Sequence, residues 1–338
     1  MTTTRTAQAE TSIPYVDELR RVFRSHPDRH EAHEQARPVL VQMARDPSVL
    51  SRVFRARLTS PGAFDATHYP VVSFPVDCNP DFEMVANCWI PLPGRETDVT
   101  TKAVHHHGNL LLSTITAFGP GYEHWMFTRA EVVDPERELF SLSVVEAQPH
   151  PLHHVSFVDS YVPHVPLYPP SLTITLALWS TNKTTTRLDR LKRLPVVKRN
   201  QAVLRKLADR AGLRGMLNIQ APEYYDFYPT AEGFKGMKDR EEFARGPNAD
   251  YLYSLFHVIQ ETGNQGLGSV VRDRLESGPP PSDPALVRRL ADDLEAGRPI
   301  EGRLSEGHYG VPFANFTRAD MERGLAAQES RPARTAVN

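Results

Sequence analysis

The sequence has little cysteine, no long apolar run and almost no net charge. Its 338 residues include only two cysteines, Cys78 and Cys88, which excludes a disulfide framework, and we expect both thiols to be buried. No apolar run approaches the roughly 20 residues that span a bilayer, and the polar start, Met1 to Ser12, lacks a signal-peptide core. A net charge of −2 creates no global field toward nucleic acid. These absences predict a cytoplasmic protein with neither a membrane nor a nucleic-acid partner.

Helical spacing marks the two ends of the chain, residues 1–67 and 181–338. Asp46 and Asp283 each precede a proline, which is the pattern of a helix N-cap followed by a first-turn proline. Pro38 is expected to interrupt the helical pattern between two N-terminal helices. Both ends are therefore predicted to be helical.

The middle of the chain, residues 68–180, changes to short β-branched or aromatic segments separated by Pro, Gly, Asn and Asp turns. Eight such segments with no long helix between them predict an antiparallel β-barrel or double-sheet jelly roll. The predicted strands are Tyr69–Val76, Phe82–Ile90, Ala103–His107, Leu110–Phe118, Tyr122–Phe127, Leu139–Glu146, His153–Asp159 and Leu172–Trp179.

Three consecutive histidines, His105, His106 and His107, lie in one of these segments. Successive side chains of a strand point to opposite faces, so His105 and His107 share a face and His106 points away. A third imidazole from another strand would complete a site for a divalent transition metal with open positions.

The third imidazole has three candidates. His164 follows Pro163 in a turn and is favoured, while His153 and His154 on the preceding predicted strand remain alternatives. The sequence predicts a three-histidine metal site inside the barrel.

The order of these motifs resembles the cupin superfamily, and within it the cysteine dioxygenase type of thiol dioxygenase. The resemblance covers roughly residues 70 to 180. The matching motifs are a strand ending in an aromatic residue and proline, a His-x-His-Gly motif, a strand followed by a glycine turn and a strand, and a second histidine motif: Asp81–Pro91, His105–Gly108, Leu111–Phe127 and Val162–Trp179.

This resemblance implies a cupin-like antiparallel β-barrel flanked by N-terminal helices and a helical C-terminal region. It also implies that His105, His107 and His164 bind iron(II). The glutamate that many cupins place after the second histidine is absent, as in the three-histidine thiol dioxygenases. The final strand, Leu172–Trp179, lacks that family's catalytic Ser-x-His-x-Tyr arrangement, and no cysteine follows the histidines to form its crosslink.

Site chemistry beyond the metal is predicted from neighbouring residues. Arg55 and Arg57 are the candidates for the family's carboxylate-binding arginine. Tyr122, Glu123 and His124, which follow the glycine turn, are the candidates for an acid, a base or a substrate hydrogen bond.

Alternation allows one face of this strand to point inward. The neighbouring Trp125 favours a buried position, so we expect it to carry Glu123 inward with it.

A neutral three-nitrogen site leaves the iron(II) charge uncompensated, which favours an anionic bidentate substrate and then O₂. We therefore predict a non-heme iron oxygenase that acts on a small polar metabolite. The alternative within enzymes is a non-redox isomerase or lyase that uses zinc, nickel or manganese as a Lewis acid.

The C-terminal zone raises further alternatives. Residues Thr181 to Leu217 contain eleven Lys or Arg against two acids, and Leu204–Leu213 has the spacing of a helix and glycine turn. This pattern would allow a ligand-sensing barrel joined to a DNA-binding module, although the sequence after Leu213 is too short and too soon broken for a recognition helix. The helical C-terminal region could instead form a homodimer interface. The aromatic run Tyr224–Tyr228 is expected in the core, at an interface or as a lid over the barrel.

Overall fold

A computed structural model describes residues 13–66, 71–91, 103–182, 224–237, 247–303 and 316–329. In these ranges the helices are α1 (Val16–Ser25), α2 (Arg29–Arg45), α3 (Pro47–Thr59), α4 (Asn248–Glu261), α5 (Leu267–Ser277), α6 (Pro284–Glu295) and α7 (Arg318–Glu329). None of these helices is both long and apolar enough to cross a bilayer. The strands are β1 (Val72–Cys78), β2 (Glu83–Trp89), β3 (Val104–His105), β4 (Leu110–Phe118), β5 (Tyr122–Phe127), β6 (Glu131–Asp134), β7 (Leu139–Ser141), β8 (Val144–His150), β9 (Val155–Val158), β10 (His164–Pro166), β11 (Thr173–Thr181), β12 (Asp226–Thr230) and β13 (Gly233–Met237).

The strands form two antiparallel sheets that face each other. The first sheet has the order β1-β2-β11-β4-β9 and the second the order β6-β7-β13-β12-β3-β10-β5-β8. Several strand neighbours, such as β2 with β11 and β3 with β12, come from distant parts of the chain, as in a jelly roll. The fold is the predicted cupin-like β fold with flanking helices.

Helices cover the outer faces of both sheets. Phe74 of β1 packs edge-on against Phe54 of α3 at 5.2 Å between ring centroids, within a core cluster that the first sheet shares with α1 to α6. The second sheet buries Trp125, Phe227 and other apolar residues against Met321 of α7. Burial of these outer faces stabilises the two sheets and leaves their inner faces to surround a cavity.

The predicted helix starts are confirmed. The carboxylate of Asp46 accepts a hydrogen bond from the Ser48 backbone N–H at 2.9 Å, and that of Asp283 accepts one from Leu286 at 2.9 Å. The predicted break at Pro38 is wrong, because Pro38 lies inside α2 on its exposed face. Packing of the opposite, buried face of α2 outweighs the backbone hydrogen bond that a proline cannot donate.

The eight predicted strand segments all contain strands, but the C-terminal zone is not purely helical. The hairpin of β12 and β13 extends the second sheet, and β12 pairs with β3. The barrel therefore does not end at residue 180. This segment is a strand because Phe227 and Tyr228 are buried in the sheet, which outweighs its position between helical segments.

Of the two cysteines, Cys88 is buried as expected and Cys78 is exposed. Cys78 ends β1, the edge strand of the first sheet, where solvent reaches it.

Candidate metal centre

Strand pairing brings His105, His107 and His164 together. His164 begins β10 and lies directly opposite His105 of β3 in the antiparallel register, and directly opposed residues have neighbouring side chains. The ring centroids are 5.0 Å apart for His105 and His107, 4.8 Å for His105 and His164, and 5.1 Å for His107 and His164. One ligand atom from each residue lies within 4.8 Å of the other two.

The middle histidine faces the other way and shapes the turn. His106 is buried, its backbone N–H donates to the Tyr225 carbonyl at 3.0 Å, and its Nδ1 accepts from the Gly108 N–H at 2.9 Å. Gly108 has a φ of 64°, and a Cβ there would lie 3.1 Å from the Tyr225 ring, so glycine suits this turn. His106 therefore holds the loop that carries His107. It also faces away from His105 and His107, as predicted, although β3 ends at His105 and the predicted strand reached His107.

The hydrogen bonds leave a nitrogen of His164 without a partner. His164 is buried, its Nδ1 lies 2.8 Å from Nε2 of His124, and its buried Nε2 has no hydrogen-bond partner in the described part of the chain. His105 Nδ1 lies 3.2 Å from the Ala103 carbonyl oxygen, which fixes Nδ1 as the protonated nitrogen. A buried polar atom without a partner is uncommon and calls for an explanation.

The electrostatics keep His164 neutral. Burial lowers its pKa well below the ordinary value, and the neighbouring His105 and His124 lower it further. Metal ligation needs the neutral imidazole. Three histidines around one point, one with a buried and unpartnered nitrogen, fit a divalent transition metal.

The three histidines open into a cavity of about 130 Å³ between the two sheets. Its lining residues recur at every second position of β2, β4, β5, β10 and β11, as strand alternation requires. No carboxylate, lysine or arginine belongs to the described lining. The lining consists of Asn87, Trp89, His105, His107, Leu112, Thr114, Tyr122, His124, His164, Pro166, Thr175, Ala177 and Trp179.

Of the three predicted catalytic residues on β5, Tyr122 and His124 line the cavity and Glu123 does not. The expectation that Trp125 would carry Glu123 into the barrel is wrong. Trp125 is buried on the outer face of the sheet, where its Nε1–H donates to Glu123 at 2.6 Å and Arg318 of α7 donates to the same carboxylate at 2.9 Å. A second apolar layer outside the barrel makes this orientation favourable.

The two inward-facing residues are held as neutral groups. Burial raises the pKa of Tyr122 to about 12, although hydrogen bonds with Thr114 and Thr175 oppose the rise. Burial, together with His150 and His105, lowers the pKa of His124 to about 3. Near neutral pH the cavity therefore presents a phenol hydroxyl and a neutral imidazole.

Other predicted site residues lie elsewhere. His153 and His154 belong neither to the histidine group nor to the cavity lining. Arg57 donates to the Tyr251 hydroxyl at 2.9 Å, between α3 and α4, and Arg55, on the same helix, does not reach the cavity. Neither arginine can bind a carboxylate there, because the first sheet separates their helix from the cavity.

Sequence reasoning missed several residues at the site. Trp89, Thr114 and Thr175 line the cavity, and Trp89 Nε1–H donates to Thr175 at 3.0 Å. The alternation of side chains along each predicted strand shows which residues share a face. It does not show which face points into the cavity or which strands lie opposite each other. Asp226 is buried and directly opposite His105 in β12, and no local pattern joins these two residues.

No protein-family profile and no curated protein matches this sequence. Solved structures do match. A Photorhabdus luminescens protein, plu4264, is 14% identical, with 38% of this chain and 92% of that chain covered and a TM-score of 0.25. A Klebsiella pneumoniae protein with a double-stranded β-helix domain is 9% identical, with 35% and 84% covered and a TM-score of 0.22. The enzyme HppE with iron(II) is 15% identical, with 32% and 48% covered and a TM-score of 0.20. Likenesses this remote carry no argument about function, and the thiol dioxygenase subtype stays a prediction.

Proposed function

We propose that this protein is a metal-dependent oxygenase, loaded with iron(II), that acts on a small polar metabolite with O₂. The observation that carries the proposal is the buried Nε2 of His164, which has no hydrogen-bond partner in the described part of the chain, in a group of three histidines whose ligand atoms lie within 4.8 Å of one another. When bound there, iron(II) would supply adjacent open positions for a bidentate substrate and for O₂.

The cavity supports a small substrate. Its volume of about 130 Å³ and its two tryptophans, Trp89 and Trp179, favour a compact molecule with an apolar part. The Tyr122 hydroxyl and the Asn87 side chain offer hydrogen bonds to the polar part. Because no arginine or lysine belongs to the described lining, a substrate anion would be balanced mainly by the metal charge.

The final strand argues for a reaction that differs from that of the thiol dioxygenases. At its inward positions β11 carries Thr175, Ala177 and Trp179. These side chains cannot supply the Ser-x-His-x-Tyr chemistry of that family. We propose that the three-histidine site is shared with that family and that the substrate is not.

An isomerase or lyase is the less supported alternative. Such a reaction usually needs a positioned base, and the described lining contains no carboxylate. Besides the three ligands, the described lining offers two base candidates. His124 already has its Nε2 hydrogen-bonded to His164, and Tyr122, with a pKa of about 12, stays protonated near neutral pH. An oxygenase makes a smaller demand for a base, because the metal itself activates both reactants.

The experiment is metal analysis of anaerobically purified protein, followed by O₂ uptake with small enediols, diketones and thiols. We expect about one iron per chain and substrate-dependent O₂ uptake that disappears in the His107→Ala variant. Equal turnover under nitrogen would establish the non-redox alternative, and protein without any bound divalent metal would contradict both.

Three proposals concern the protein's surroundings. We propose a cytoplasmic location and a homodimer formed through the C-terminal region, which analytical ultracentrifugation would test against a monomer. The basic stretch, Thr181 to Leu217, lies almost wholly outside the described residues, as does the helix-and-turn pattern within it. Titration with duplex DNA at low salt tests the regulator hypothesis, and we expect no binding.

A further inference from the structure

We propose that His124 is a positioning residue that makes Nε2 of His164 the metal-ligating nitrogen. It would do so by accepting the Nδ1–H of His164. This inference rests on the proposed metal site and adds to it a residue that contacts a ligand but not the metal.

The contact between the two rings is short and buried. His164 Nδ1 and His124 Nε2 are 2.8 Å apart, both residues are at most 5% exposed, and their ring planes meet at 84° with the centroids 5.1 Å apart. Two nitrogens at this distance share one proton. Nε2 of His164 has no partner among the described residues. Metal ligation at Nε2 requires the shared proton to lie on Nδ1 of His164, with His124 accepting it.

Strand register holds the two rings in place. β10 and β5 pair so that His164 is opposite Met126 and Pro166 is opposite His124, which puts His124 diagonally across from His164 on the cavity face. On its other side β5 pairs with β8, where Gln148 is opposite His124. Paired strands on both sides leave the backbone of His124 little freedom.

The choice of a neutral acceptor has a chemical consequence. Metal-bound histidines commonly donate to a carboxylate or a carbonyl, which orients the ring and raises its basicity. At His105 the Ala103 carbonyl takes this position, whereas at His164 a neutral imidazole takes it. An imidazole orients the ring without adding negative charge, so the site keeps an uncharged ligand set.

The matched variants are His124→Gln and His124→Asn. A glutamine side chain reaches the position of Nε2 with its carbonyl oxygen and can accept from His164. Asparagine is one methylene shorter and does not reach, although its amide is equally polar. His33→Leu is the control, since it removes an equally buried imidazole that does not line the cavity.

The measurement is the affinity of the full-length chain for Co²⁺, by competition with a chromophoric chelator, together with the Co²⁺ absorption spectrum. We expect His124→Asn to weaken binding roughly 10- to 100-fold and to alter the spectrum, while His124→Gln and His33→Leu stay close to wild type. Thermal unfolding of the metal-free variants verifies that each one is folded, and His124→Leu replaces His124→Asn if the latter does not fold.

Two results would overturn the inference alone. Binding by the Asn or Leu variant as tight as wild type would remove the need for an acceptor, and equal weakening in the Gln and Asn variants would assign His124 to packing. A wild-type chain that takes up no Co²⁺, Zn²⁺ or Fe²⁺ would instead overturn the proposed function, and this inference with it.

Discussion

Two buried histidines in this protein, His33 and His164, have nearly the same exposure but differ in how many of their ring nitrogens are hydrogen-bonded. His33 is part of α2, and its ring packs against the first sheet, where Nδ1 is 2.7 Å from the Ser113 hydroxyl and Nε2 is 2.9 Å from the Ser180 hydroxyl. In the cavity, His164 uses one nitrogen to contact His124, and its other nitrogen has no partner among the residues that the structure describes. Both nitrogens of His33 have hydrogen-bond partners within the protein, whereas Nε2 of His164 is left to bind a ligand.

Titration does not separate the two residues. Burial lowers the pKa of His33 to about 3 and that of His164 well below its ordinary value. Both are therefore neutral imidazoles at physiological pH. The two residues differ in whether each ring nitrogen has a hydrogen-bond partner. This difference indicates function better than burial or pKa does.

The largest effect is expected from removing a ligand. His164→Ala, His105→Ala and His107→Ala should each lower bound metal from a full equivalent to near zero, because one of three ligands is lost from an already open site. His33→Ala should keep the full equivalent. Elemental analysis of the purified variants measures this, and full metal content in the ligand variants would refute the three-histidine site.

The effects on stability should rank the other way, with His33→Ala more destabilising than His164→Ala. His33→Ala leaves the hydroxyls of Ser113 and Ser180 without their partner and opens a void, so we expect a loss of about 2–4 kcal/mol in the free energy of unfolding. In metal-free protein His164→Ala should cost less, since it breaks one hydrogen bond, to His124, where His33→Ala breaks two, and since the Nε2 that it removes has no partner among the described residues. Urea unfolding monitored by circular dichroism compares them. A larger loss for His164→Ala would invalidate the comparison.

Acid should destabilise the protein partly through His33. The unfolded imidazole binds a proton near its ordinary pKa of 6.5, while the folded one resists protonation until about pH 3. The contribution of His33 is therefore complete above pH 6.5 and is lost as the pH falls below it, by at most about 1.4 kcal/mol per pH unit. Unfolding free energies of wild type and His33→Gln between pH 7 and 4.5 should converge by this slope; parallel curves would disprove it.

The smallest effect is expected on the outer face of β5. Glu123 and Arg318 form an ion pair in which their side chains remain 30% and 37% exposed, so Glu123→Gln should change stability by less than about 1 kcal/mol. Metal affinity should not change, since Glu123 points away from the cavity. A metal affinity as weak as that of His124→Asn would show that this outer face supports the site.

Much of the site was predictable because it depends on local geometry. The period of two places His105 and His107 on one face and His106 on the other, and the bounds of β4 and β5 agree with the predicted segments. The cupin-like resemblance pointed to His164 rather than to the two histidines before it. These inferences needed neither the pairing of distant strands nor the packing of helices.

The failures depend on contacts that no local pattern contains. Trp125 was expected to face the cavity because burial suits it, but α7 provides a second buried layer outside the barrel. Similarly, β12 was not predicted as a strand, since its pairing with β3 joins residues more than a hundred positions apart. A residue's tendency to be buried does not reveal which of two interiors receives it.

That pairing also bears on when the proposed metal site can form during synthesis. β3 has two residues, and its hydrogen bonds run to β10 on one side and to β12 on the other. A ribosome has translated all three histidines long before it reaches Asp226. Until then the strand that carries His105 lacks a neighbour, so a nascent chain halted after β11 should bind a divalent metal poorly, and the proposed site should form only when the late hairpin has been added.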